Sequence, residues 1–326
     1  MIPTWVRDPK NDNLFINDLR KHVKGGVLVP PANANPLVVA AAPAAGIPTL
    51  GMPVVYEGPQ DGCREIYSMV GAFDAATLAD PQARFSVQID DQAYRRRYMN
   101  RDILVNHIFG TPGNPLFLPQ PIWLENQQVL IFQFLNNSIV GAATFRQLME
   151  GRTFQAQSLS RSEVTQLIGK KRREAVFFNP FWLTSDNPII IPAGGQTTAF
   201  FSNARDYYLL LRYIIRSWIS TGIAGDVNEA FTVRFFDATN NRPLMNQPMT
   251  ANMMGGNSNF PYVLPQPWSI EPVTSIRADF QNLITDQPTE VFLTFCGVGC
   301  FVANQNPWEG TRVDQPAVTT PAYGAP

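Results

Sequence analysis

Lysine is nearly missing from this chain: only Lys10, Lys21, Lys24, Lys170 and Lys171 occur, so 20 of the 25 basic residues are arginine. Charge is scarce as a whole, at 16% of residues against about 25% in an ordinary soluble domain. The net charge of −1 leaves no global field to recruit nucleic acid or an anionic membrane. Three cysteines, Cys63, Cys296 and Cys300, are too few for a disulfide scaffold and leave one unpaired, which fits synthesis in a reducing compartment. Two histidines, His22 and His107, offer little material for metal or acid–base chemistry, and His107 reads as loop decoration. No His-Glu-x-x-His, Gly-x-Ser-x-Gly or Walker-type pattern is present. The N-terminal stretch is charged and lacks the apolar run of a secretory signal. The longest low-charge stretch, Pro36 to Val55, is broken by Pro43, Pro48 and Pro53, which excludes a spanning helix. These gaps predict a chain with no cofactor, no metal site, no membrane partner and no catalytic residues.

What is abundant fits a surface made to be covered. Hydrophobic residues make up 45% of the chain and there are 22 phenylalanines. Arginine and aromatic residues are enriched in protein–protein interfaces, whereas lysine is depleted there. Arginine's rigid fork also pairs better than a lysine ammonium in a desiccated contact.

The organising feature is an internal repeat. With Phe85 set against Phe231, an offset of 146 residues, identities fall at Phe85/Phe231, Val87/Val233, Asp91/Asp237, Arg96/Arg242, Met99/Met245 and Asn100/Asn246. The same register continues through Asn106/Asn252, Gly110/Gly256 and Pro115/Pro261. It ends in a shared block, Leu118-Pro119-Gln120-Pro121 against Leu264-Pro265-Gln266-Pro267. Asn35 to Val39 matches Asn187 to Ile191 after a six-residue shift. The residues expected to carry the repeated fold are therefore Asp91, Met99, Asn100, Pro119 and Pro121, with Asp237, Met245, Asn246, Pro265 and Pro267 as their partners.

Each copy reads as β-structure. Tyr207 to Ile219 alternates with period two, placing Tyr207, Leu209, Leu211, Tyr213 and Ile215 on one face. Phe231 to Phe236, Ile276 to Leu283 and Val291 to Val302 are further short runs of aromatic and β-branched residues, separated by Gly, Asn and Pro breakers. Prolines flanking Gln120 and Gln266 fit extended edges or corners, since each removes a ladder donor. Asp91 and Asp237 read as turn residues. Cys296 and Cys300, spaced by four, read as buried small hydrophobes. The expected class is all-β: two tandem jelly-roll or Greek-key sandwiches. Their bounds are an N-terminal arm over 1–34, a first sandwich over 35–155, a linker over 156–186, a second sandwich over 187–303 and a C-terminal arm over 304–326. Within the linker, Ser160-Arg161-Ser162-Glu163 is a capping-box pattern opening a short helix.

Two basic runs, Arg95-Arg96-Arg97 and Lys170-Lys171-Arg172-Arg173, are candidates for contact with packaged nucleic acid or with a neighbouring subunit. Near-zero net charge and the lack of interleaved aromatics favour a solvated or subunit-contact face over genome binding.

The repeated block resembles a domain of bacteriophage virion structural proteins. The resemblance rests on Phe85 to Ile89, Met99-Asn100 and Phe117 to Pro121, with Phe231 to Phe235, Met245-Asn246 and Val263 to Pro267 in the second copy. It covers both repeats and not the arms or linker. Two jelly rolls in one chain also resemble the double jelly-roll capsid proteins of tailless icosahedral viruses. The resemblance implies a virion protein made in the host cytoplasm that assembles with itself, as a trimer or larger, and with other virion proteins. Shell, decoration and connector roles all fit it. The rival reading is a receptor- or glycan-binding spike module, with Trp123, Trp268 and Trp308 as candidate contacts, although Trp268, whose repeat partner is Ile122, reads as a packing position.

Overall fold

The computed structural model describes residues 23–28, 35–59, 62–92, 96–124, 128–155, 176–186, 188–203, 208–220, 230–257 and 259–302. The expected linker helix, the run Lys170 to Arg173, Arg95 and Trp308 lie outside these residues.

The first sandwich runs in chain order through β1 (Val23–Leu28), β2 (Leu37–Val39), β3 (Thr49–Leu50), β4 (Val54–Glu57), β5 (Gly62–Phe73), helix α1 (Ala79–Arg84) and β6 (Phe85–Asp91). It continues with β7 (Arg96–Arg97), β8 (Ile103–Leu104), the one-turn helix α2 (Val105–Ile108), β9 (Leu116–Leu124), β10 (Val129–Asn136) and β11 (Ala143–Gln155). The second is built from β12 (Val176–Thr184), β13 (Ile189–Ile191), β14 (Gln196–Ser202), β15 (Tyr208–Ser220), β16 (Phe231–Asp237), β17 (Arg242–Pro243) and β18 (Met249–Thr250). Helix α3 (Ala251–Met254), β19 (Tyr262–Ile270), β20 (Ser275–Asn282) and β21 (Thr289–Val302) complete it.

One sheet of the first half has the order β1-β11-β5-β9, with β2 also on β11; the facing sheet has β3-β10-β6-β7, with β4 on β10 and β8 on β6. The second half repeats both orders as β12-β21-β15-β19 and β14-β20-β16-β17, with β13 on β21 and β18 on β16. All pairings between these strands are antiparallel. Interleaving of early and late strands in each sheet is the jelly-roll order, so the chain is two tandem jelly rolls. Both are larger than the sequence bounds: β1 lies in the stretch expected as arm, and β12 in the stretch expected as linker. Each is the outermost strand beside β11 or β21. A tail that pairs along a sheet edge satisfies its own backbone groups, which a free arm cannot do.

The cores follow the period of two. On β10, Leu130, Phe132, Phe134 and Asn136 point inward; on β20, Ile276, Ala278, Phe280 and Asn282 do the same. In the first core Phe73, Phe85, Phe109, Phe132, Phe134 and Phe145 form one contiguous ring cluster, with centroids 5.0–6.4 Å apart. Full burial of each such side chain is worth about 1.5–3 kcal/mol.

Alternation fails at one place in each half, and it is the same place. Along β5 the partners on β11 jump from Ser68↔Glu150 to Ile66↔Gly151, leaving Tyr67 extra; along β15 they jump from Leu211↔Gly297 to Tyr213↔Cys296, leaving Arg212 extra. A Cβ on Gly151 would sit 2.2 Å from the Glu65 carbonyl oxygen, and one on Gly297 2.2 Å from that of Leu210. Only glycine lets the two backbones approach this closely. On the other side of the same bulge lies the Leu-Pro-Gln-Pro block. Phe117 pairs with Ser68 and Ile122 with Ile66, so Leu118 to Pro121 bow out opposite Tyr67. Leu264 to Pro267 bow out opposite Arg212 in the same way. The prolines occupy edge strands, where the missing N–H breaks no ladder bond.

The bulge also corrects the predicted face of β15. Leu209 and Leu211 point into the second core, but beyond Arg212 it is Ile214 and Trp218 that do so. Tyr213 is turned outward and packs against the core of the first sandwich.

Candidate functional site

The contact between the two halves joins buried polar side chains from both, among them His107, Thr184 and Thr294. The end of the first sandwich, made by β7 to α2, abuts β12 and the outer face of the β12-β21-β15-β19 sheet. Trp182 donates its backbone N–H to Tyr98 O (3.0 Å), and Asn100 donates its own to Trp182 O (3.3 Å). The Asn100 side chain brackets Thr184, donating to its carbonyl at 2.6 Å and accepting from its N–H at 2.9 Å. Trp182 and Cys296, from the second half, are buried in the core cluster of the first. Arg84 pairs with Glu290 at 2.8 Å, and Arg101 pairs with Asp186.

His107 is the knob of this contact. Carried on α2, it is 1% exposed. Its Nδ1 lies 2.9 Å from Thr294 Oγ1 and its Nε2 2.9 Å from Ser217 Oγ. One ring nitrogen of a neutral imidazole donates and the other accepts, and hydroxyls serve either role, so both bonds are satisfied without charge. Burial drives its pKa from the ordinary 6.5 down to about 3. This residue reads as loop decoration in sequence; the structure makes it an inter-domain peg. The signal that points to it is in the repeat: His107 corresponds to Met253, while Ser217 and Thr294 correspond to Ala72 and Leu148 by sheet register.

The repeat-signature residues separate into core and junction roles. Met99 is fully buried and bridges to Trp182. Met245 is buried in the second core, its sulfur 3.4 Å from the Phe235 N–H. Asn100 is engaged at the junction, whereas Asn246 is exposed. Pro119 and Pro121 are half-buried; Pro265 and Pro267 are exposed. Asp237 is a turn residue, its carboxylate accepting from the Thr239 and Asn240 N–H groups and from Asn240 Nδ2 (3.0, 3.2 and 2.8 Å). Those bonds hold its pKa below the usual range. Asp91 is different: it is buried and accepts from Gln128 Nε2 at 2.6 Å. Of the basic run, Arg96 pairs with Asp91 in the β6–β7 ladder, and Arg97 is exposed with Nε 2.8 Å from Asp90 Oδ1. A guanidinium already tied to a carboxylate is a weaker phosphate contact.

A second feature is an open groove of about 300 Å³ on the second sandwich, lined among others by Asp237, Asn240, Leu244, Trp268, Glu271 and Thr274. Two of its positions differ decisively from the first half. Ile122, 1% exposed, stands where Trp268 is half-buried, and Gln128, which seals Asp91, stands where Thr274 instead donates to Glu271 O at 2.7 Å.

Among the described residues no three His, Cys, Asp or Glu side chains cluster in metal-binding fashion. No described helix is long and apolar enough to cross a membrane. Cys296 is a fully buried free thiol whose pKa is pushed far up by desolvation, the state of an inert core residue.

No family model matches the chain, and no curated protein matches it. Among solved structures, a chain from Sulfolobus turreted icosahedral virus is 10% identical, with a TM-score of 0.39, over 91% of this chain and 94% of its own. PNGF-II is 10% identical at TM-score 0.36, over 89% of this chain and 68% of its own. PBCV-1 VP54 is 6% identical at TM-score 0.33, over 87% and 97%.

Proposed function

We propose that this chain is a non-enzymatic structural subunit of a bacteriophage particle that self-assembles as a capsid shell or capsid-associated protein. The observation that carries the reading is the direction of the internal contact. It is head-to-tail: the α2 end of one jelly roll sits on the outer sheet face of the next. The second jelly roll repeats that end, with Met253 exposed at 60% where its counterpart His107 is 1% exposed. The first repeats the outer face, where Ala72 is exposed. A heterologous contact with both unused faces left open generates rings or extended arrays. The lysine-poor, arginine- and phenylalanine-rich composition suits surfaces covered in that way. Resemblance of the repeated block to phage virion proteins supplies the kind of particle. Light scattering and negative-stain microscopy of the purified chain test this: closed oligomers of trimer size or larger are expected. A monodisperse monomer at tens of micromolar would overturn it, because obligate interfaces of about 2,000 Å² or more do not dissociate there.

The groove beside Trp268 favours a second reading, a receptor-binding module for neutral glycans. Trp268, half-buried with its ring against Phe235 and Phe295, lines the groove beside Asp237, Asn240 and Glu271, an apolar wall next to hydroxyl acceptors, and the carboxylates disfavour sialylated ligands. Thr274→Gln would install the plug that Gln128 provides in the first half. A neutral-glycan array signal abolished by T274Q supports this reading; an array without signal sinks it.

A further inference from the structure

The two junction faces of this chain are not copies of each other, and their differences are matched. Inside the chain a polar knob, His107, meets a polar socket, Ser217 and Thr294, at 2.9 Å on each side. At the open ends the corresponding knob is Met253, 60% exposed, and the corresponding socket is Ala72, exposed, with Leu148, half-buried. Sheet register fixes the correspondence: Ala72 pairs with Arg146 as Ser217 pairs with Phe292, and Leu148 pairs with Val70 as Thr294 pairs with Ile215. All three positions have changed polarity in the same sense. The charged pair has gone from both sides as well. Where Arg84 meets Glu290 at 2.8 Å inside the chain, the corresponding positions are Ala230, buried in the second core, and Thr144, half-buried.

We propose that copies of this chain join through the same head-to-tail contact that joins its halves, with Met253 of one copy seated against Ala72 and Leu148 of the next. Polarity sorts the two kinds of junction. This rests on the assembly reading above and names the partner, a second copy, and its footprint. The occupant follows from continuity with the internal contact. Asn246 and α3 present the outline that Asn100 and α2 present inside the chain, and β1 lies on β11 in the register in which β12 lies on β21: Leu28 opposite Met149, Leu183 opposite Phe295.

Sorting has a physical basis in what each mismatch leaves unpaired. Met253 forced onto Ser217 and Thr294 would bury two hydroxyls without partners. His107 forced onto Ala72 and Leu148 would bury an imidazole with neither donor nor acceptor opposite. A buried polar group without a partner costs far more than an apolar contact of the same shape. The matched pairs avoid both costs, so the internal face stays internal and the outer face selects another chain.

The test is a swap and rescue at pH 8, where an introduced histidine is neutral. Met253 is solvent-exposed in the single chain, so Met253→His leaves the fold intact, as far-UV circular dichroism checks. Self-association measured by sedimentation should weaken about tenfold or more in M253H. It should recover in M253H combined with Ala72→Ser and Leu148→Thr, which rebuilds the internal pair at the outer junction. If the wild-type chain assembles and M253H assembles equally well, or the triple variant fails to recover, this contact is wrong while the assembly reading stands. If the wild type does not assemble at all, the assembly reading falls and takes this contact with it.

Discussion

Asn136 and Asn282, 146 residues apart, hold the same hydrogen-bond node in the two jelly rolls. Asn136 Nδ2 donates to Val39 O, Ala40 O and Gly141 O at 3.3, 3.0 and 3.0 Å. Asn282 Nδ2 donates to Ile191 O, Pro192 O and Gln287 O at 3.4, 3.1 and 2.9 Å. Each Oδ1 accepts a backbone N–H two residues on, from Ser138 or Ile284. The node ties the end of β10 to the turn after β2, and the end of β20 to the turn after β13. It plugs the core at the position where the inward-facing series runs out of apolar residues.

Truncating either amide should therefore cost much more than a surface substitution. Asn136→Ala and Asn282→Ala are each expected to lower unfolding free energy by about 2–4 kcal/mol, since several buried backbone groups lose their partner at once. Asn→Asp keeps the shape but removes the donor, so it should be comparably damaging. Urea unfolding reads both, and an Asn136→Asp variant as stable as the wild type would remove the donor role.

Gln147 is the opposite case. It is buried at 3% exposure on the inward side of β11, and its Oε1 and Nε2 find no partner among the described residues. The second half carries Leu293 at this place, in the middle of its core. Gln147→Leu should raise unfolding free energy by about 1–3 kcal/mol, the cost of an unsatisfied buried amide. A lower urea midpoint in Q147L would mean that the amide has a partner or that leucine does not fit between Phe145 and Met149.

Much of this architecture is legible in the residues because duplication prints it twice. The shared Leu-Pro-Gln-Pro block marks the edge-strand bow in both halves, and the ungapped register from Phe85 to Pro121 corresponds strand for strand to β16 through β19. The face of β15 beyond Leu211 was not legible from alternation. A bulge is set by how closely β21 approaches, and its trace in sequence is a single glycine, Gly297, matched by Gly151. The edges β1 and β12 were also hidden: Lys24-Gly25-Gly26 and Asn179-Pro180 look like loop residues until a neighbouring strand supplies the ladder. The role of His107 has no local trace, because its partners lie 110 and 187 residues away. Comparing the halves at Ser217/Ala72 and Thr294/Leu148 is what reveals it.

The same histidine should make the folded chain less stable in acid. Folded, His107 is neutral with a pKa near 3, because burial between α2, β15 and β21 penalises the imidazolium; unfolded, it titrates at the ordinary 6.5. The facing groups, Ser217 and Thr294, carry no charge to offset that penalty. The unfolded chain thus binds the extra proton first, so the contribution is fully present above pH 6.5 and is lost progressively as pH falls from there toward about 3. At pH 5 the loss from this group alone comes to roughly 2 kcal/mol, or 1.5 pH units at about 1.36 kcal/mol each. Unfolding measured at pH 7.5 and pH 5 should show this difference in the wild type and a smaller one in His107→Gln, which retains one donor and one acceptor but does not titrate. Equal pH dependence in both proteins would place the acid sensitivity elsewhere, in carboxylates such as Asp237, whose pKa is depressed in the folded state and whose contribution is lost at lower pH.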